Sequence, residues 1–174
     1  MSAAQLLKDN LSLFEPDKGV VLDLACGRGQ NGLLLKAQNI ELVFADLQQQ
    51  HLSTLHKDFN IDNSALWQAD FESESSLDAQ KLAQMQLQGI LVFRYLHRPL
   101  FDSIKQAIKP GGIVIYETFT IENRQFGRPN RADFLLELGE LKTVFKEWDI
   151  LFYFEGIKEN PDRAIAQIIC QKPD

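Results

Sequence analysis

The chain has 174 residues, 45% of them hydrophobic and 24% charged, which suits one globular domain whose core needs neither disulfides nor metal. Its 18 basic and 24 acidic side chains give a formal charge of −6, which opposes adhesion to nucleic-acid phosphates or anionic lipid unless basic residues gather locally. No leader of basic and then apolar residues opens the sequence. Cys26 and Cys170 are therefore expected to be a reduced pair in a cytoplasmic protein, and no apolar run is long enough to span a bilayer.

Taken in chain order, the periodicity first predicts a helix over residues 2–14, with Leu6, Leu7, Leu11 and Phe14 on one face, Ser2 as cap and Pro16 as stop. A buried strand follows over 19–24, a helix over 31–37, a strand over 40–45 and a helix over 49–59. Next come a strand at 65–69, a short helix at 77–85, a strand at 88–93 and a helix at 99–108 opened by Pro99. Pro110-Gly111-Gly112 reads as a turn into a fifth strand over 113–119. Beyond an arginine-bearing loop (120–133) and a helical segment (134–145), apolar runs at 148–154 and 164–170 follow each other with only a short link, as antiparallel neighbours do. The expectation is a Rossmann-like, doubly wound α/β fold with a mostly parallel seven-stranded sheet and an antiparallel C-terminal strand pair.

The chemistry concentrates between the first strand and the next helix. Gly27, Gly29 and Gly32 have the G-x-G-x-x-G spacing that lets backbone approach a nucleotide-type ligand, and Asp46 at the end of the second strand is placed to accept ribose hydroxyls. Asp23 discriminates between ligands. A dinucleotide pyrophosphate over this turn would be repelled by that carboxylate, whereas the ammonium and sulfonium of S-adenosylmethionine would be attracted. The absence of a Tyr-x-x-x-Lys pair weakens an NAD-linked oxidoreductase further. A non-catalytic adenosine-ligand binding module, or a methyltransferase acting on protein or RNA, uses the same motif and stays open at this point.

The segment DLACGRG, Asp23 to Gly29, resembles the first motif of class I S-adenosylmethionine-dependent methyltransferases. The resemblance implies further residues: Asp46 on the ribose, Asp70 in QADF on the adenine amine, and Phe71 flanking the adenine ring. Ala25, Leu47, Phe93 and Arg94 complete the cofactor set expected on this basis. The KPGG turn (109–112) and the antiparallel ending fit the same class. The segments FRYLHRPLF (93–101), IYETF (115–119) and FLLELGEL (134–141) look closest to small bacterial methyltransferases of the tellurite-resistance type. Two features depart from the class pattern: Gln88-Gly89 stand where an Asp often opens the fourth strand, and no Asn/Asp-Pro-Pro-aromatic signature for adenine N6 methylation follows it.

The remaining candidates concern the methyl acceptor, expected to be a small molecule. His97 follows the fourth strand, where ligands of doubly wound sheets approach, and is the expected proton acceptor for an alcohol or ammonium nucleophile. Arg98, Arg124, Arg128 and Arg131 leave the ends of adjacent strands and are expected to grip an anionic acceptor, unless they pair with Glu117, Glu122 and Asp133 at the surface. Cys26 is expected to pack, His51 and His56 to lie at the surface away from any metal site, and Trp67 and Trp148 to be core or pocket wall.

Overall fold

A computed structural model describes residues 2–174. Seven strands form one sheet in the order β3-β2-β1-β4-β5-β7-β6. They are β1 (Val21–Leu24), β2 (Leu42–Asp46), β3 (Leu66–Gln68), β4 (Leu87–Phe93), β5 (Ile108–Phe119), β6 (Asp149–Lys158) and β7 (Arg163–Gln171). The first five are parallel, and β7 enters antiparallel between β5 and β6. The expected doubly wound sheet with an antiparallel C-terminal pair is therefore the observed one. Its helices are α1 (Gln5–Lys8), α2 (Gln30–Lys36), α3 (Gln49–Phe59), α4 (Leu77–Ala83), α5 (Phe101–Ala107) and α6 (Glu140–Val144).

Side-chain alternation along the strands sorts the interior into two layers. Leu22, Leu24, Ile90, Val92, Val114, Tyr116 and Ile168 face one side, where Leu82 of α4, Ile104 of α5 and Leu141 of α6 cover them. Val21, Leu91, Ile113, Ile115 and Ile169 face the other side, beneath Leu6 and Leu7 of α1, Leu35 of α2 and Leu55 of α3. Asp23, Phe93, Glu117 and Gln167 fall on this second face by the same count, so alternation alone carries three polar side chains to the α1–α3 side of the sheet.

Three segments differ from expectation. The N-terminal helix is not continuous over 2–14: α1 has four residues, and a short 3₁₀ turn covers Leu11–Leu13. Ser2 does not cap it; the Ala4 N–H donates instead to Asn31 Oδ1 at 2.8 Å, tying the segment to α2, and Asn10 turns its amide back onto the Leu6 carbonyl. The KPGG turn lies inside β5 as a bulge, the ladder jumping from Leu87↔Ile108 to Gly89↔Ile113. Residues 135–139 are not helical, because Leu135 and Leu136 are buried in extended backbone and Leu136 bridges to Thr120, while Phe134 closes a short 3₁₀ turn over Ala132–Phe134. Gln88, at the departure from the class pattern, is buried and bonds the Glu15 N–H, the Glu15 carbonyl and the Gly19 carbonyl, fixing the entry into β1.

Candidate active site

The turn after β1 is built for close approach. Ala25 (φ 53°), Gly27 (φ 55°) and Gly29 (φ 73°) all take left-handed backbone before α2 begins. A Cβ at Gly32 would come within 2.4 Å of the Phe44 ring and 2.9 Å of Asp23 Oδ2, so the helix seats on the sheet only through that glycine. A Cβ at Gly27 would meet nothing within 4 Å, which leaves its backbone open to a ligand.

Asp23 stands beneath this turn, buried, with Oδ2 accepting the Gly32 N–H at 2.8 Å. Burial pushes its carboxyl up to about 7; the Gly32 hydrogen bond works against that and the nearby Asp46 charge adds to it. No cation of the described residues pairs with it. Asp46 braces the turn, its Oδ2 accepting the Gly27 N–H at 2.8 Å and its Oδ1 accepting the Gln48 N–H at 2.8 Å. His51 Nδ1 lies 3.1 Å from the same Oδ1. His51 thus belongs to the site rather than to the open surface, whereas His56 is exposed and its Nδ1 bonds the Ile61 carbonyl.

A cleft of about 880 Å³ opens above these residues at the carboxyl ends of the strands. Asp23, Ala25, Gly27, Arg28 and His51 line one end, and Arg94, Glu117, Lys158, Arg163 and Gln167 line the other. Ser2 to Leu6, with Asp9 and Asn10, wall it from the N-terminal side. Phe93 is an apolar wall between the two ends, as the second-face count requires. Leu47, 59% exposed, and Asp70, also exposed, stand outside this lining and beyond the end that holds His51. Asp70 Oδ1 accepts the Glu72 N–H. Phe71 departs from its expected place: it is buried, edge-on to Trp67 with centroids 5.3 Å apart, and so belongs to the core. Burial pushes the Cys26 thiol up, which suits packing in the turn rather than nucleophilic work.

The arginine group expected over this mouth is dispersed. Arg98 forms a forked pair with Glu140 of α6, Nε to Oε1 at 2.6 Å and Nη2 to Oε2 at 2.9 Å, and Nη2 also donates to the Leu135 carbonyl. Glu140 belongs to the helix covering the opposite face of the sheet, so Arg98 is turned away from the cleft. Arg131 pairs with Asp133 at the surface, Arg124 donates to the Asn130 carbonyl, and Arg128 is exposed. His97 likewise stands outside the lining, its carbonyl accepting the Leu100 N–H at the start of a 3₁₀ turn. Glu117 does not pair with those arginines; its Oε2 accepts from Gln167 Nε2 at 2.5 Å. Arg28, His51, Glu117, Lys158, Arg163 and Gln167 are among the cleft residues that sequence reasoning did not assign.

The sequence profile of the family described as "Tellurite resistance protein TehB" matches residues 6–164. The chain belongs to the TehB family. Among solved structures, TehB from Haemophilus influenzae superposes with a TM-score of 0.74 at 20% identity, over 97% of this chain and 62% of that one. The chain thus spans less than two thirds of that relative. A SAM-dependent methyltransferase from Methanosarcina mazei matches with a TM-score of 0.68 at 13% identity, over 99% of both chains. The N-methyltransferase NodS from Bradyrhizobium japonicum matches with a TM-score of 0.67 at 14% identity, over 97% of this chain and 93% of that one. No curated protein matches by sequence. The fold of this TehB-family chain is that of the class I S-adenosylmethionine-dependent methyltransferases, and among the described residues no helix is long and apolar enough to cross a membrane.

Proposed function

We propose that this TehB-family chain binds S-adenosylmethionine and transfers its methyl group to a small anionic molecule. The observation that carries the reading is the charge pattern of one cleft. At one end Asp23 is a buried acid without a cation; elsewhere on the lining the cations Arg28, Arg94, Lys158 and Arg163 outnumber the acids Asp9 and Glu117 and are in no salt bridge, in a protein of net charge −6. A cationic donor and an anionic acceptor satisfy both. The residues fit the donor: Gly27 has the clear approach that a ligand backbone contact needs, and the Asp23 carboxyl is desolvated and set to gain from an ammonium group.

S-adenosylmethionine, when bound, supplies a methyl already activated on a sulfonium sulfur. Asp23, Ala25, Gly27 and Gly29 would hold its amino-acid end, Asp46 and Leu47 its ribose, and Asp70 the adenine edge, with Phe93 and Arg94 between donor and acceptor. What the chain contributes is position. Phe93 and the Ser2–Asn10 segment limit water while the cations orient the acceptor, an effect worth on the order of 7–11 kcal/mol when alignment is good. His97 has no step in this reading.

The test is a thermal-shift series with S-adenosylhomocysteine, NAD and NADP. Ligand at about 100 times its dissociation constant adds roughly 2.7 kcal/mol of stability, and only S-adenosylhomocysteine is expected to do so. Stabilisation by NAD, or none by S-adenosylhomocysteine, sinks the reading.

A further inference from the structure

The acceptor end of the cleft contains an unusual pair. Glu117, at the end of β5, is buried, and its register partner on β7 is Gln167, which donates to its Oε2. Oε1 accepts no hydrogen bond from the described residues, while the residue as a whole lines the cleft. A carboxylate in such a position costs free energy unless something positive or proton-bearing meets it. It would repel an oxyanion nucleophile.

Asp23 and Glu117 are too far apart to serve one ligand group. The register Asp23↔Leu91 and Leu91↔Ile115 sets Glu117 two strands across and two residues onward. Strand spacing and rise make that roughly 12 Å between Cα atoms. The basic residues at this end of the lining are Arg94, whose N–H donates to the Glu117 carbonyl, and, four residues away along β7 from Gln167, Arg163 with its neighbour Lys158. None is in a salt bridge, Arg163 donating to the Pro161 carbonyl and Lys158 lying over the Phe154 ring. Lys158 and Arg163 are register partners at the ends of β6 and β7, so both come to the same end of the cleft as Gln167.

We infer that the acceptor is an amine that also carries an anionic group, with its nitrogen on Glu117 and its anion among Arg94, Lys158 and Arg163. This rests on the function proposed above. The ammonium nitrogen loses one proton to Glu117 Oε1, and its freed lone pair forms the new N–C bond as the methyl C–S bond breaks. The C–S electron pair stays on sulfur, giving a neutral thioether. The product leaves as an N-methylammonium, and the Glu117 proton passes to water. Gln167 is a positioning residue that fixes which carboxylate oxygen faces the nitrogen.

The experiment offers the purified chain methyl-labelled donor with glycine, β-alanine or aminomethylphosphonate. In parallel it is offered acetate and methylphosphonate, which lack the amine, ethylamine, which lacks the anion, and tellurite and selenite. Label is expected only on molecules that carry both groups. Glu117→Gln should lower kcat by about 100-fold or more, with S-adenosylhomocysteine affinity by calorimetry within twofold of the original. Glu117→Asp should restore part of the rate, and Gln167→Met should displace the acid limb of the kcat/KM profile while the melting temperature holds. Should Glu117→Gln fail to fold, the Gln167→Met profile decides. Label on tellurite, selenite or an amine-free acid, or on none of the amines while S-adenosylhomocysteine binds, overturns the inference and leaves the donor site standing. Failure of S-adenosylhomocysteine to bind removes the proposed function itself.

Discussion

Arg94 and Arg98 leave the same strand end within one short segment, yet they serve opposite faces of the sheet. Arg94 has a left-handed backbone (φ 57°), its N–H donates to the Glu117 carbonyl at 2.8 Å, and it lines the cleft. Arg98 starts the 3₁₀ turn ahead of α5 and is spent on Glu140 and the Leu135 carbonyl. Position at the carboxyl edge of a sheet therefore does not make a residue part of the site. What decides is the face on which the chain leaves the strand, and here a single left-handed residue makes that choice.

The largest expected effect that separates the two faces is on the cleft side. Asp46→Ala removes the acceptor of the Gly27 N–H in the turn, that of the Gln48 N–H ahead of α3, and the partner of His51. Affinity for S-adenosylhomocysteine by calorimetry should fall by about 3 kcal/mol, the upper range for hydrogen bonds to a charged group. An unchanged affinity would show that the brace plays no part in binding. On the other face, Arg98→Ala should cost about 2 kcal/mol of stability, lowering the melting temperature by roughly 4–8 °C, and leave that affinity alone. Loss of affinity in Arg98→Ala would break the comparison.

Next in size is a pH effect. Because folding raises the Asp23 carboxyl to about 7 from an ordinary 3.8, the ligand-free fold holds a proton there that the unfolded chain gives up. The stability from this group is complete below about 3.8 and is lost as pH rises through about 7. A cationic ligand wants the ionised form. Affinity should therefore fall by up to about tenfold per pH unit below about 7 and be flat above it, with protons released on binding in the acid range. Calorimetry in buffers of different ionisation enthalpy reads both, and a pH-independent affinity would separate Asp23 from the ligand's ammonium group.

Much of this was legible in the residues. The strands and the glycine turn were readable because apolar runs of strand length alternate with helical spacing, and because DLACGRG fixes where the chain must turn. Glu117 and Gln167 were not. Glu117 lies near the end of β5 and Gln167 in the middle of β7, strands buried on both sides whose near-continuous apolar runs, IVIYETF and IAQII, hide which face a residue takes. His51 was missed for a different reason: it sits in the first turn of α3, and helix periodicity alone does not say that the first turn after β2 faces the cleft. Phe71 was misjudged because the chain turns inward just after Asp70, where Asp78 accepts the Asp70 N–H and Trp67 receives the ring.

Two smaller tests refine the contrast among the basic residues. Arg94→Gln or Lys158→Gln should raise the Michaelis constant of an anionic acceptor by roughly fivefold, about 1 kcal/mol, with little change in S-adenosylhomocysteine affinity. Arg128→Lys and Arg131→Lys should alter neither stability nor kinetics by more than about 0.5 kcal/mol, since one side chain is exposed and the other is in a surface ion pair. A rise in the Michaelis constant from either lysine variant would return the loop after β5 to the site.

The antiparallel entry of β7 bears on how the cleft comes into being. The donor end rests on β1, α2 and β2, whose first register pair, Val21↔Leu42, closes a short stretch of chain. Glu117 waits for Gln167, 50 positions later, and β6 pairs with no strand but β7. The last hairpin must therefore reach the β5 edge as a unit, after a loop closure longer than the one that brings Leu42 to Val21. During synthesis the donor end can be complete while the acceptor end does not yet exist, so the two chemistries of the cleft have separate birthdays in the folding of one sheet.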